Sequence, residues 1–150
     1  MIEFINTLSE IQFNDGLNMN SGTIGAHVRH VVEHYQSLLL DADTIDYDNR
    51  SRNTAIETQP AMAINSLNSI IFELQKLIAD KAVDVLCSTN TAPQTNPTTS
   101  SLRRELVFVH SHTTHHMAII RILALSMMLP ISMNFGKAAS TQKFEHNVQS

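Results

Sequence analysis

The apolar residues Ile2, Phe4, Ile5, Leu8, Ile11 and Phe13 recur at three- and four-residue intervals, which predicts an amphipathic helix closing near Asp15-Gly16. "NSG" at 20 to 22 is a start signal for a second helix, with Ile24, Val28, Val31, Tyr35 and Leu38 as its stripe and Asp41 to Asp43 as its exit. Thr44 to Gln59 is polar, has no sustained period and reads as an unusually long connecting loop. Pro60 suits the first turn of a third helix, whose face runs through Met62, Ile64, Leu67, Ile70, Ile71, Leu74 and Ile78 to an end by Asp80. Val83, Val85 and Cys87 alternate inside a run rich in Thr, Asn and Pro, so a small hairpin or extended loop is expected there. Ser100 or Ser101 can cap a fourth helix carrying Leu102, Leu106, Val109, Ile120, Leu123 and Met127, stopped before Pro130. Residues 137–150 read as a terminal tail with at most one short helix. Four long helices without a substantial strand set predict an all-α fold, a four-helix bundle with a long crossover between helices two and three, and one domain over 1–150.

At 150 residues and 43% hydrophobic content, one core is sufficient, and no disulfide or structural metal is needed to hold it. The net charge of -4 divides into -7 over residues 1–75 and +3 over 76–150, which argues against a nucleic-acid footprint. Cys87 alone cannot form an internal disulfide or a multi-cysteine zinc site, fits a reducing compartment and is read as a simply buried thiol. No basic, apolar and small-residue pattern near the start indicates a secretory signal, so cytoplasm is the default expectation. The most apolar window, Met117 to Ile131, is interrupted by Arg121 and stopped by Pro130, so it predicts a core helix and no membrane span. Helix one, or the helix-three and helix-four faces, could serve a homodimer.

"HSHTTHH" places His110, His112, His115 and His116 on the predicted fourth helix. At about 100° per residue, His112 and His116 lie roughly 40° apart beside the Leu102, Val109, Ile120, Leu123 stripe, so both rings can turn inward. Neutral imidazoles at i and i+4 can offer lone pairs to one cation, and a third ligand must come from another helix. Helix two supplies His27, His30 and His34; its stripe alone prefers His27 or His34, with His30 nearer the edge. The competing reading is a polar seam of hydrogen-bonded core histidines. The Glu-x-x-His of di-iron bundles and His-Glu-x-x-His are both missing, so a mononuclear site with an open position is favoured. Glu33 and Glu105 read as solvated or salt-bridged helix residues that could orient a histidine.

Through "GTIGAHVRHVVEHYQSLL", "IDYDNRSRNTAIETQPAMAINSL", "SLRRELVFVHSHTTHHMAIIRILA" and "FGKAAST", nearly the whole chain resembles the DinB-like family of small metal-binding helical bundles, which includes thiol-dependent transferases. The resemblance implies an up-down-down-up bundle. Its histidine late in the "IGxxxxH" segment falls on His30 and its His-x-x-x-His pair on His112 and His116, which makes these three the implied metal ligands. The family's frequent Arg-Gly after the histidine pair is Met117-Ala118 here, so a contact made by that arginine is missing.

The "DYDNRSR" loop resembles a connection in one branch of that family, which implies Asp46, Asp48, Arg50 and Arg52 at an entrance where an arginine could take the carboxylate of a thiol cofactor; on the residues alone, solvated loop charges are the favoured reading. Tyr47 is read as packed over the bundle with its hydroxyl at the surface, and Tyr35 as a packing residue. The expected function is that of a divalent-metal enzyme using zinc or nickel, with iron and manganese as further candidates, that transfers the sulfur of a low-molecular-weight thiol to an electrophile. A metal-dependent hydrolase and a non-catalytic, stress-related metal-binding protein are the alternatives.

Overall fold

Ser9 interrupts the predicted first helix. Its hydroxyl accepts the Gln12 N–H at 3.2 Å while the Gln12 side chain accepts the Ser9 N–H at 2.9 Å, a reciprocal box that starts a new helix. The result is two short helices, α1 (Ile2–Ile5) and α2 (Glu10–Asn14), which bury Phe4, Ile5 and Phe13 and leave Ile11 exposed. The computed structural model describes residues 1–16, 22–40, 43–88 and 96–149.

The second predicted helix is α3 (Ile24–Leu39), and it buries Ile24, Val28, Val31 and Leu38 as its pattern requires. Its cap is Thr23, which accepts the Ala26 N–H at 2.9 Å; Asn20 and Ser21 of the predicted start, and Asp41 and Ala42 of the predicted exit, lie outside the described residues. The supposed loop from Thr44 to Gln59 carries β1 (Thr44–Asp46) and α4 (Thr54–Thr58), and Asn53 caps the latter. Next comes α5 (Pro60–Leu74), with Pro60 in its first turn and Ala63, Leu67 and Ile70 inside. It ends before Ile78, which is fully exposed instead of joining the stripe. Then follow β2 (Ala82–Leu86), β3 (Thr98–Ser101), α6 (Leu102–Ser126), capped by Ser101, and α7 (Ala139–Gln149).

The expectation of an all-α four-helix bundle is therefore corrected: the fold is mixed, with seven helices and a three-stranded sheet of order β1-β2-β3 among the described residues. β1 pairs parallel with β2, Ile45 opposite Val85, and β2 pairs antiparallel with β3, Val83 opposite Ser100. Parallel pairing requires a crossover, and α4 with α5 supplies it. Ile45 and Tyr47 share one face of the first strand and its extension, Val83 and Val85 one face of the second, and all four are buried. This period of two was too short beside Asp46 and Asp48 to stand out from a loop.

Helix α3 is central, packing on α6 and also on α4 and α5. At its first turn Gly25 meets α4 so closely that a Cβ would run into the Glu57 carbonyl and lie 2.7 Å from the Phe13 ring. Two apolar clusters form along α3 and α6. One joins Ile24, Val28 and Val32 to Ile120, Leu123 and Ala124; the other joins Leu38 and the sheet residues to Leu102 and Val109. On α6 the interval between these clusters carries His110, His112, His115 and His116, and on α3 it carries His34, with His27 and His30 interleaved among Ile24, Val28 and Val32. Among the described residues, no helix is long and apolar enough to cross a membrane.

Candidate metal centre

Helices α3 and α6 cross antiparallel, so that His27 stands opposite His116 and His30 opposite His112. The Nε2 atoms of His30 and His112 are 2.9 Å apart, as are the Nδ1 atoms of His27 and His116. His30 also has the His34 ring at 4.3 Å and the His116 ring at 4.4 Å between centroids, while His112 has His34 at 4.4 Å and His116 at 4.6 Å. His30, His112 and His116, the ligands implied by the resemblance, thus lie together at one helix crossing.

The tightest set of ligand atoms is His30, His34 and His112, whose nitrogens all lie within 4.8 Å of one another, so these three could hold a metal ion. The His34 Nδ1–H donates to the His30 carbonyl at 2.7 Å, which fixes the ring and leaves Nε2 as its acceptor, with the Arg50 guanidinium 3.4 Å from that atom in place of an ion. Nitrogens sharing a tetrahedral cation at about 2.1 Å stand roughly 3.4 Å apart, so the 2.9 Å His30–His112 separation is that of a hydrogen bond between neutral rings and has to open by about 0.5 Å to admit an ion. His115 is exposed on the rim, 5.3 Å from the His116 ring, and His110 is exposed.

The local field keeps these rings neutral. Burial, followed by the like charge that His34, His116, Arg50 and His112 would present, pushes His30 down to about 3. Burial lowers His34 to about 4 despite its backbone hydrogen bond, and burial with neighbouring His112 and His27 lowers His116 to about 3. His112 moves down for the same leading reason. Unprotonated imidazoles are the form that ligates a cation.

Arg50 closes one side. Its guanidinium is 3.4 Å from His34 Nε2, donates to the Tyr47 carbonyl and lies 3.8 Å from Glu33 Oε2, with only 17% of the side chain exposed. Glu33 is held in turn by Arg29 and by the Asn53 N–H at 2.7 Å, and Arg29 pairs with Glu57. Asp46 and Asp48 serve the loop instead of an entrance: Asp46 accepts the N–H groups of Asp48 and Asn49, and Asp48 that of Ser88. Arg52 is exposed in the left-handed region.

Of the two readings of Glu33 and Glu105, the salt-bridged one holds: both are buried, Glu33 beside Arg29 and Arg50 and Glu105 against Arg104. Two expectations about other side chains change. Tyr47 is buried to its hydroxyl, which donates to Glu105 at 3.0 Å, while its ring stacks on His34 at 5.5 Å. Cys87 is exposed, at the end of a strand whose inward positions are taken by Val83 and Val85. The value of His34 was readable from its place on the Ile24, Val31, Leu38 stripe. The approach of Arg50 had no such signal, since it depends on the path of the chain after β1. No protein-family model matches the chain, and no curated protein or solved structure matches it.

Proposed function

We propose that the protein is a divalent-metal-dependent enzyme in which His30 and His112 ligate the ion and either His116 or His34 completes the triad. The observation that carries this reading is the 2.9 Å approach of two imidazole nitrogens from different helices, with two further histidine rings packed against both. His116 has the support of the family resemblance, and His34 that of its fixed ring and the tighter nitrogen geometry. Zinc and nickel suit an all-imidazole set, with iron and manganese next.

A bound ion of this kind acidifies a water or thiol that reaches it. The chain's own residues then have separable tasks. The imidazoles stay deprotonated in their low-dielectric layer, His30 fixes the His34 ring through its carbonyl, and Arg50 holds a fixed positive charge beside His34 for an anionic ligand. The reaction we assign is transfer of the sulfur of a low-molecular-weight thiol to an electrophilic small molecule, by resemblance to the family's transferases. Arg50 matches a thiol that also carries a carboxylate.

The test begins with elemental analysis of protein purified without a metal-affinity column, followed by zinc and nickel titration of His30→Ala, His34→Ala, His112→Ala and His116→Ala. Loss of metal in the His30 and His112 variants and in one of the other two is expected. Retention by all four overturns the site. Turnover with panels of thiols and electrophiles then tests the reaction, and catalysis independent of thiol replaces the transferase by a metal-dependent hydrolase.

A further inference from the structure

A second chamber lies between the sheet and the first turns of α6. It has a volume of 310 Å³, enough for one small organic molecule, and Tyr47, Val85, Ser100, Arg104, Glu105 and Phe108 are among its walls. Two of its lining residues, Tyr47 and Phe108, also stack on His34 and His112, and no histidine is among its lining residues. It plays no part in the metal reading above.

The buried charged group in its wall is Glu105, only 1% exposed. Tyr47 donates to one of its oxygens; Ser100 donates to the other at 2.7 Å and Arg104 at 2.8 Å. Arg104 differs from the other two donors because 66% of its side chain is in solvent, so the pairing holds a buried carboxylate by a group free to leave. The guanidinium is folded back over the Phe108 ring, 5.5 Å from its centroid, within cation-π range. A cation between a buried carboxylate and an aromatic face is the arrangement a ligand cation would adopt, and here a surface side chain adopts it.

The remaining charges nearby strengthen this reading. Asp48 accepts the Ser88 N–H at 2.7 Å beside Cys87, and Asp84 accepts the hydroxyl of the lining residue Thr99 at 3.3 Å. Arg50 opposes the field of these carboxylates from the far side of Tyr47, where its guanidinium faces His34, Glu33 and the Tyr47 carbonyl. We propose that this chamber binds a small organic cation, an ammonium or amidinium on an apolar body, with its charge on Glu105 and its body against Phe108 and Tyr47, in the place Arg104 now occupies.

Benzylammonium, benzyl alcohol and benzoate share size and shape and differ in charge, so calorimetric titration of EDTA-treated full-length protein with each tests the proposal. Benzylammonium should bind about tenfold more tightly than the alcohol, and benzoate not measurably. Arg104→Ala, with its thermal midpoint measured to show that it is folded, should tighten benzylammonium several-fold by removing the internal competitor. Glu105→Gln should erase the preference for the cation, with its thermal midpoint measured to show that it is folded. Equal binding of the three probes, binding of none, or binding of benzoate that is lost in Arg104→Ala overturns the proposal. Because the protein is metal-free throughout, these outcomes are independent of whether the histidines hold an ion.

Discussion

Acidification should destabilise the metal-free protein well above the range where carboxylates ordinarily titrate. His34 is 5% exposed and its folded value is about 4, against an ordinary value of about 6.5 in the unfolded chain. Between those values the unfolded state binds a proton that the native state refuses, so native stability falls as the pH drops. At about pH 5 the linkage relation gives a loss near 2 kcal/mol relative to neutral pH, growing to about 3 kcal/mol near pH 4. His30 and His116, both down at about 3, push in the same direction, since their rings share the mutual repulsion. Urea unfolding followed by circular dichroism on EDTA-treated protein measures the effect. For a slope of about 2 kcal/mol per molar, the midpoint should move down by about 1 M between neutral pH and about pH 5. His34→Gln should show a smaller movement. A midpoint that holds or rises on acidification, or a variant as pH-sensitive as its parent, would refute the account of a desolvated, neutral cluster.

His112→Ala should lose bound zinc and nickel while His115→Ala, altered at an exposed rim position, keeps them; equal loss in both means the helix register has been misjudged. Tyr47→Phe removes a hydroxyl donated to a buried carboxylate at 3.0 Å, and chemical denaturation should show about 1.5 to 3 kcal/mol of lost stability. Gly25→Ala forces a methyl into the Glu57 carbonyl where α3 and α4 touch, so the thermal midpoint should fall by several degrees or soluble yield collapse. A neutral outcome there would mean that the two helices separate freely.

Much of the helical scaffold was legible because its signals are local. The Ile24-to-Leu38 stripe, Pro60 in the first turn of α5 and Ser101 before α6 each declare an element within a few residues. The Ser9–Gln12 box that divides the first helix was equally local, but the continuous apolar spacing across it concealed the break. The Val83, Val85, Cys87 alternation pointed to a hairpin or extended loop where β2 and β3 pair, whereas β1 was hidden for a different reason. Thr44 to Asp46 is a strand only because Asp84 to Leu86 runs beside it, and three residues of alternation carry no information about so distant a partner. The site divides similarly: the His112 and His116 spacing points inward on its own helix, whereas the pairing of 30 with 112 and 27 with 116 follows from how two helices cross. The wheel preference was for His27 or His34, of which His34 packs against His112 and His27 pairs with His116, while the resemblance-based His30 packs against His112 as well.

The His30–His112 approach joins positions 82 residues apart in the chain. Each histidine helix can form early from its own neighbours, but the imidazole layer can assemble only after the intervening strand and crossover segments have closed that loop, an entropic step that grows slowly with length. Occupancy of the layer by a cation would therefore act as a late staple across the whole tertiary structure, slowing its opening far more than it speeds its formation.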